Sequence, residues 1–153
     1  MRLSIQRADF AEPRLEAFLR AHLDDLAPTA PVESQHALDL AELRMPGVRL
    51  WVGLVGEEVV ATGALAALDP EHEELKSMRT DPDRRGRGIA TRMLEHLLQD
   101  ARGRGVRRVS LESGAMDFFA PARALYAKAG FVPCPPFGSY REDPYSVHLT
   151  KAL

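Results

Sequence analysis

The chain has a single cysteine, Cys134, among its 153 residues. No intrachain disulfide framework can form, and a reducing compartment suits the protein. No uncharged run approaches the ~20 residues that a membrane-spanning helix requires. The N-terminal stretch Met1-Arg2-Leu3-Ser4-Ile5-Gln6-Arg7 lacks the apolar segment of a secretory signal. A cytoplasmic protein with no membrane partner is therefore expected. Basic excess is absent as well. The formal net charge is -2, which gives no broad field for nucleic acid. Aromatic residues do not interleave with the arginines as a strand-stacking surface would require. The five histidines are dispersed, without a ligand pair at a recognised metal spacing, so no metal is expected.

What is present fits an ordinary globular chain. A hydrophobic fraction of 45% is enough for one domain, residues 1–153, with a substantial core. Leu3 to Arg7 alternates as a short strand. Asp9 and Glu12 suggest a capping box, before an apolar stripe at Leu15, Phe18, Leu19, His22, Leu23 and Leu26 with helical spacing. Pro28 and Pro31 end that helix, and a second helical segment runs from Pro31 to about Leu43. Three successive strands follow, over Val48 to Leu54, Val59 to Leu68 and Glu74 to Thr80, joined by Gly- and Pro-containing turns. Gly63 lies inside the middle one, where it permits close approach of a helix or ligand.

A second stripe, Ile89, Met93, Leu94, Leu97, Leu98 and Ala101, predicts a helix closing at Gly103 or Gly105. Val106 to Leu111 is the next strand, parallel to its predecessor through a βαβ crossover. Pro121 opens a further helix whose inner face holds Ala122, Leu125, Tyr126 and Ala129, with Gly130 at its C-terminal turn. A strand beginning at Phe131-Val132 and another from Tyr145 to Thr150 complete the order β-α-α-β-β-β-α-β-α-β-β. The expected fold class is α/β, a mixed sheet covered by helices.

Between the third of those strands and the second striped helix lies Asp81-Pro82-Asp83-Arg84-Arg85-Gly86-Arg87-Gly88-Ile89-Ala90. Glycines there allow positive φ and close approach of a ligand. Unpaired amides at a helix start receive anions. Two phosphate motifs fail on residue identity. A Walker A loop needs Lys-Ser/Thr where Ile89-Ala90 stands, and a dinucleotide fingerprint would place its third glycine or alanine at Thr91.

With Arg85-Gly86-Arg87-Gly88-Ile89-Ala90, the preceding strand to Asp81-Pro82 and the later Ala124-Leu125-Tyr126-Ala127-Lys128-Ala129-Gly130-Phe131, the chain resembles the GCN5-related N-acetyltransferases. Leu75-Lys76-Ser77-Met78, Leu111-Glu112-Ser113-Gly114 and Pro136-Phe137-Gly138-Ser139-Tyr140 look like a subgroup of small bacterial acetyltransferases. The resemblance implies the acyl-CoA N-acyltransferase fold, a mostly antiparallel twisted sheet with helices on both faces. It implies acetyl-CoA as co-substrate, an amine acceptor on a small molecule or peptide, and a homodimer as the expected assembly.

The same resemblance assigns roles. The pyrophosphate would lie on the amides of Arg85, Gly86, Arg87, Gly88, Ile89 and Ala90, with Arg84, Arg85, Arg87 or Arg92 reaching the ribose phosphate. Backbone groups of Met78, Arg79 and Thr80 would pair with the pantetheine arm, and the Met78 amide would polarise the thioester carbonyl. Tyr126 would protonate the departing thiolate. Glu74 and Glu112 are candidate bases, and His36, Phe118 and Tyr140 are candidates for the acceptor side. Cys134 has no neighbouring base in sequence, which argues against an acyl-enzyme. The alternative is a non-catalytic acyl-CoA sensor or interaction module with the same fold.

Overall fold

The structure, a computed structural model, describes residues 2–29, 31 and 40–153. Along the chain run β1 (Leu3–Arg7), α1 (Pro13–Leu26), α2 (Leu40–Leu43), β2 (Val48–Val55), β3 (Glu58–Asp69), β4 (His72–Thr80), α3 (Ile89–Gly103), β5 (Arg108–Gly114), α4 (Ala120–Lys128), β6 (Val132–Pro133) and β7 (Ser146–Ala152). This is the order that the periodicities predict; of the second helical segment expected from Pro31 to about Leu43, Leu40–Leu43 is helical and positions 32–39 lie outside the described residues. Two local details differ. Pro13 occupies the first turn of α1 and Glu12 caps it, accepting from the Arg14 amide, so the start expected at Asp9 is displaced. Asp9 instead accepts from the Ala11 amide within a turn. The strand expected from Val106 begins at Arg108, because the Arg107 and Arg108 amides first donate to the Glu71 carbonyl.

The strands form a sheet in the order β1-β2-β3-β4-β5-β7-β6. Neighbours are antiparallel except β4 and β5, which are parallel. Each face carries its own core. On one, Met93, Leu94 and Leu97 of α3 pack with Val60, Leu65, Leu75, Val109 and Leu111 of the sheet. On the other, Leu15, Leu19 and Leu43 meet Leu50, Val52 and Ala64. No helix among the described residues is long and apolar enough to cross a membrane.

Two features of β4 position the site. Its ladder with β5 covers only His72↔Arg108, Glu73↔Val109 and Glu74↔Ser110, and beyond Glu74 the two strands part. The paired end is held by Glu73, buried, which accepts from Arg104 at 2.7 and 2.8 Å. The second feature is a bulge. The register with β3 passes from Ala64↔Lys76 to Thr62↔Arg79, so Ser77 and Met78 face one residue, Gly63. Ser77 has φ 55°, the left-handed region, and such a bulge re-aims the backbone and the side chains that follow. The buried Thr62 hydroxyl holds it by donating to the Ser77 carbonyl at 2.8 Å.

Gly63 meets the expectation of close approach. A Cβ there would stand 2.7 Å from Leu97 Cδ1, 3.0 Å from Met78 Sδ and 3.0 Å from Met93 Cγ. Gly63→Val is expected to overpack this junction and cost about 1–3 kcal/mol. Urea unfolding reads the loss, and an unchanged midpoint would refute the packing role.

Candidate active site

A cleft of about 400 Å³ opens where β4 and β5 separate. One wall is the bulged end of β4 with the start of α3; the other comes from Phe118, Phe119, Leu125 and Tyr126, and α1 closes it with His22 and Asp25.

The start of α3 is built to be left open. Gly88 is its N-cap at φ 78°, with no side-chain cap, and Gly86 has φ 77°. None of the amides from Arg85 to Thr91 donates within the chain among the described residues. Glycine in place of a capping side chain costs only about a few tenths of a kcal/mol. The five large buried side chains of α3, Ile89, Met93, Leu94, Leu97 and Leu98, contribute about 1.5–3 kcal/mol apiece on burial. The helix therefore holds without a cap, and its donors and positive dipole end remain for an anion.

The four candidate arginines separate. Arg84 is bound to Glu58 at 2.5 Å and lies 3.8 Å from Asp81. Arg92 donates to the Leu3 carbonyl at 3.3 Å. Arg85 and Arg87 make no ion pair among the described residues and flank the open amides.

Met78, Arg79 and Thr80 all line the cleft. The bulge takes Met78 out of register with β3 at the cleft wall. Its side chain packs with the α3 core.

Tyr126 is 6% exposed, lines the same cleft and stacks edge-on with Phe131 at 5.8 Å. Its hydroxyl makes no hydrogen bond among the described residues, although buried phenols ordinarily find a partner. Burial pushes its pKa well above the ordinary phenol value, so the proton stays in place at neutral pH. Phe118 also lines the cleft, and Phe119 is seated there by Gly114, where a Cβ would meet its ring at 2.0 Å.

Glu74, Glu112 and Tyr140 come together in a polar cluster on the α1 face of β4 and β5, adjoining the splay rather than lining the cleft. Tyr140 donates to Glu74 at 2.5 Å, and Lys76 donates to Glu74 at 3.2 Å and to the Tyr140 hydroxyl at 3.0 Å. Glu112 accepts from Ser146 at 3.2 Å. Burial lifts the Glu112 carboxyl to about 7, against the pull of Ser146 and Lys76. Burial and Glu74 push the Tyr140 phenol far up. Phe118 and Tyr140 thus sit in different places, and His36 lies outside the described residues.

Three residues with no role in the sequence reading enter the site. Lys76 carries the positive charge of the cluster. His22 is lowered to about 4 by burial and by Arg79, and so is neutral. Asp25 accepts from Arg79 at 2.7 Å. His22 left a trace in sequence, a histidine inside the apolar stripe of α1. Burial raises the Cys134 thiol, which keeps it protonated and unreactive. No group of three metal-ligating side chains occurs among the described residues.

The Acetyltransferase (GNAT) family matches residues 11–131 of the chain. The chain is 41% identical to the uncharacterized N-acetyltransferase YsnE of Bacillus subtilis (strain 168), over 99% of this chain and 100% of the relative. A Klebsiella pneumoniae subsp. pneumoniae MGH 78578 crystal structure assigned to the acyl-CoA N-acyltransferases superposes with a TM-score of 0.82 at 28% identity, covering 99% of this chain and 97% of that one. A GNAT family acetyltransferase from Elizabethkingia anophelis, with acetyl-CoA bound, superposes with a TM-score of 0.70 at 18% identity, covering 99% and 98%. This last likeness concerns the fold alone.

Proposed function

Since this chain belongs to the GNAT family of acetyltransferases, we propose that its cleft binds acetyl-CoA and passes the acetyl group directly to an amine in a ternary complex. One observation carries this reading: a single cleft joins the uncapped start of α3, the bulged backbone of β4 and a Tyr126 hydroxyl with no partner among the described residues. The pyrophosphate is received by amides from Arg85 to Ala90, with Arg85 and Arg87 free to take the remaining phosphate. The acetyl-CoA in the Elizabethkingia protein supports the choice of donor.

In the reaction the amine nitrogen forms a bond to the thioester carbonyl carbon, and the carbon–sulfur bond breaks. The Met78 amide stabilises negative charge growing on the carbonyl oxygen. Glu112 takes the proton that the amine loses, directly or through water, and Tyr126 gives its proton to the departing sulfur. Solvent exchange restores both groups. Glu112 is preferred to Glu74 as base because Glu74 already accepts from both Tyr140 and Lys76. Initial rates with both substrates varied test the ternary complex. Intersecting reciprocal lines are expected, and parallel lines would indicate an acyl-enzyme and overturn it.

A pH dependence follows. With Glu112 near 7, kcat/KM should rise as pH passes through that value and the carboxylate forms. Glu112→Gln should remove this inflection and lower the plateau about 10²-fold. Persistence of the inflection in the variant would assign it elsewhere. Stability moves the other way. The folded value lies above the usual 4.5, so this group's contribution is most favourable at low pH and declines as pH rises through 7. Glu112→Gln should therefore gain thermal stability over wild type at pH 8 but not at pH 4.

A further inference from the structure

The Arg79 side chain is 9% exposed, yet among the described residues it makes a single hydrogen bond, from Nη1 to Asp25 at 2.7 Å. A guanidinium carries five N–H donors. Among the described residues, buried Nε has no partner and Nη2 makes no hydrogen bond. The guanidinium carbon is fixed 5.3 Å from the centre of the Phe18 ring. Buried cations are ordinarily paired and hydrogen-bonded throughout, because desolvation is costly otherwise. This one lines the cleft with most of its donors unused.

Its position distinguishes it from the pyrophosphate turn. The bulge at Ser77 and Met78 sends consecutive side chains to opposite sides: Met78 packs with the α3 core, whereas Arg79 contacts Phe18 and Asp25 of α1. An anion on Arg79 would therefore sit on the α1 side of β4, one residue from the bulged backbone assigned above to the thioester carbonyl. His22, neutral and on the cleft wall one helical turn before Asp25, offers a ring nitrogen that can accept from an amine N–H.

We propose that Arg79 is the acceptor-recognition residue and that the acceptor is an amine carrying a carboxylate within a few bonds of the reacting nitrogen, as in an amino acid. The fork geometry of arginine suits a carboxylate, and Asp25 holds the guanidinium toward the cleft while leaving Nη2 uncommitted. This inference rests on the acetyl-transfer reading of the same cleft, and adds to it the class of acceptor.

Thiol release from acetyl-CoA tests it with matched pairs: L-amino acids against their carboxamides and against the amines lacking the carboxylate, with kcat/KM corrected for the free-amine fraction. Wild type should favour the amino acid by at least about 100-fold, since a site with buried charge rejects analogues that leave it unpaired. Arg79→Gln should bring each pair within about 5-fold while the acetyl-CoA Kd stays within about 3-fold of wild type, a split that a merely structural residue would not give. Equal use of the pairs by wild type would overturn the acceptor class and leave acetyl transfer standing. A weaker acetyl-CoA Kd in Arg79→Gln with discrimination intact would assign Arg79 to a coenzyme phosphate instead. Transfer to no member of the panel would overturn both readings. The wild-type comparison stands even if the variant does not fold.

Discussion

Tyr126→Phe is expected to lower kcat about 10²–10⁴-fold, the usual contribution of a positioned general acid. The acetyl-CoA Kd should change less than about 3-fold, because the substitution removes one oxygen and leaves the ring against Phe131. The reason is the isolation of the phenol. Its hydroxyl has no partner among the described residues, so its deletion breaks no hydrogen bond there, and the usual cost of an orphaned partner does not arise. Thermal stability should stay near wild type. Without the phenol the thiolate leaves unprotonated in a site poorly reached by water. Stopped-flow thiol detection on both proteins reads the effect, and equal turnover would remove Tyr126 from the acid role.

Gly88→Val is the complementary experiment on the donor side. A Cβ at Gly88 would meet nothing within 4 Å, so space is not the constraint; the backbone is, at φ 78°. A β-branched residue is a genuine outlier there, and relaxing it would turn the amides at the start of α3 away from the anion. Charge-assisted hydrogen bonds are worth about 1.5–3 kcal/mol each. Losing one or two should therefore weaken acetyl-CoA binding by about 10²-fold or more. Gly88→Asn is the control. Asparagine visits the left-handed region far more readily, and its affinity should fall by only about 5-fold at this level of strain. Calorimetric titration separates them. Equal affinities for valine and asparagine would show that the amides are not the anion site.

These experiments begin from features of unequal visibility in the sequence. The turn from Arg85 to Ala90 was legible because its chemistry is local. Glycine spacing and a following apolar stripe are both read from one continuous window, Asp81 to Ala101. Tyr126 was legible as a helical residue on the inner face, but its lack of a partner depends on how α4 meets the splayed sheet. Side-chain facing along β4 was not legible at all. Simple alternation puts Glu74, Lys76, Met78 and Thr80 on one face. The bulge at Ser77, set by Gly63 and Thr62 forty-odd ångströms of chain away on β3 in an extended sense (about 14 residues at ~3.3 Å each), moves Met78 to the α3 face and leaves Arg79 on the α1 face with Glu74 and Lys76. Only pairing with β3 determines that.

The helix start at Glu12 rather than Asp9 has a simpler lesson. Pro13 prefers the first helical position, where its missing N–H costs nothing, and this preference outweighs the capping-box spacing. The polar cluster of Glu74, Lys76, Glu112 and Tyr140 draws on β4, β5 and the loop before β7. No sequence window contains it, which is why Glu112 was legible only as an acidic residue in an apolar strand.

Acetyl transfer itself is tested most directly by following thiol and acetylated amine together, by mass spectrometry, when the wild-type chain meets acetyl-CoA and a panel of amines. One thiol should appear for each acetylated amine, with no acetyl group retained on the protein. Tight binding of acetyl-CoA with no acetylated product from any amine would contradict it, and would make the cleft that of an acyl-CoA sensor.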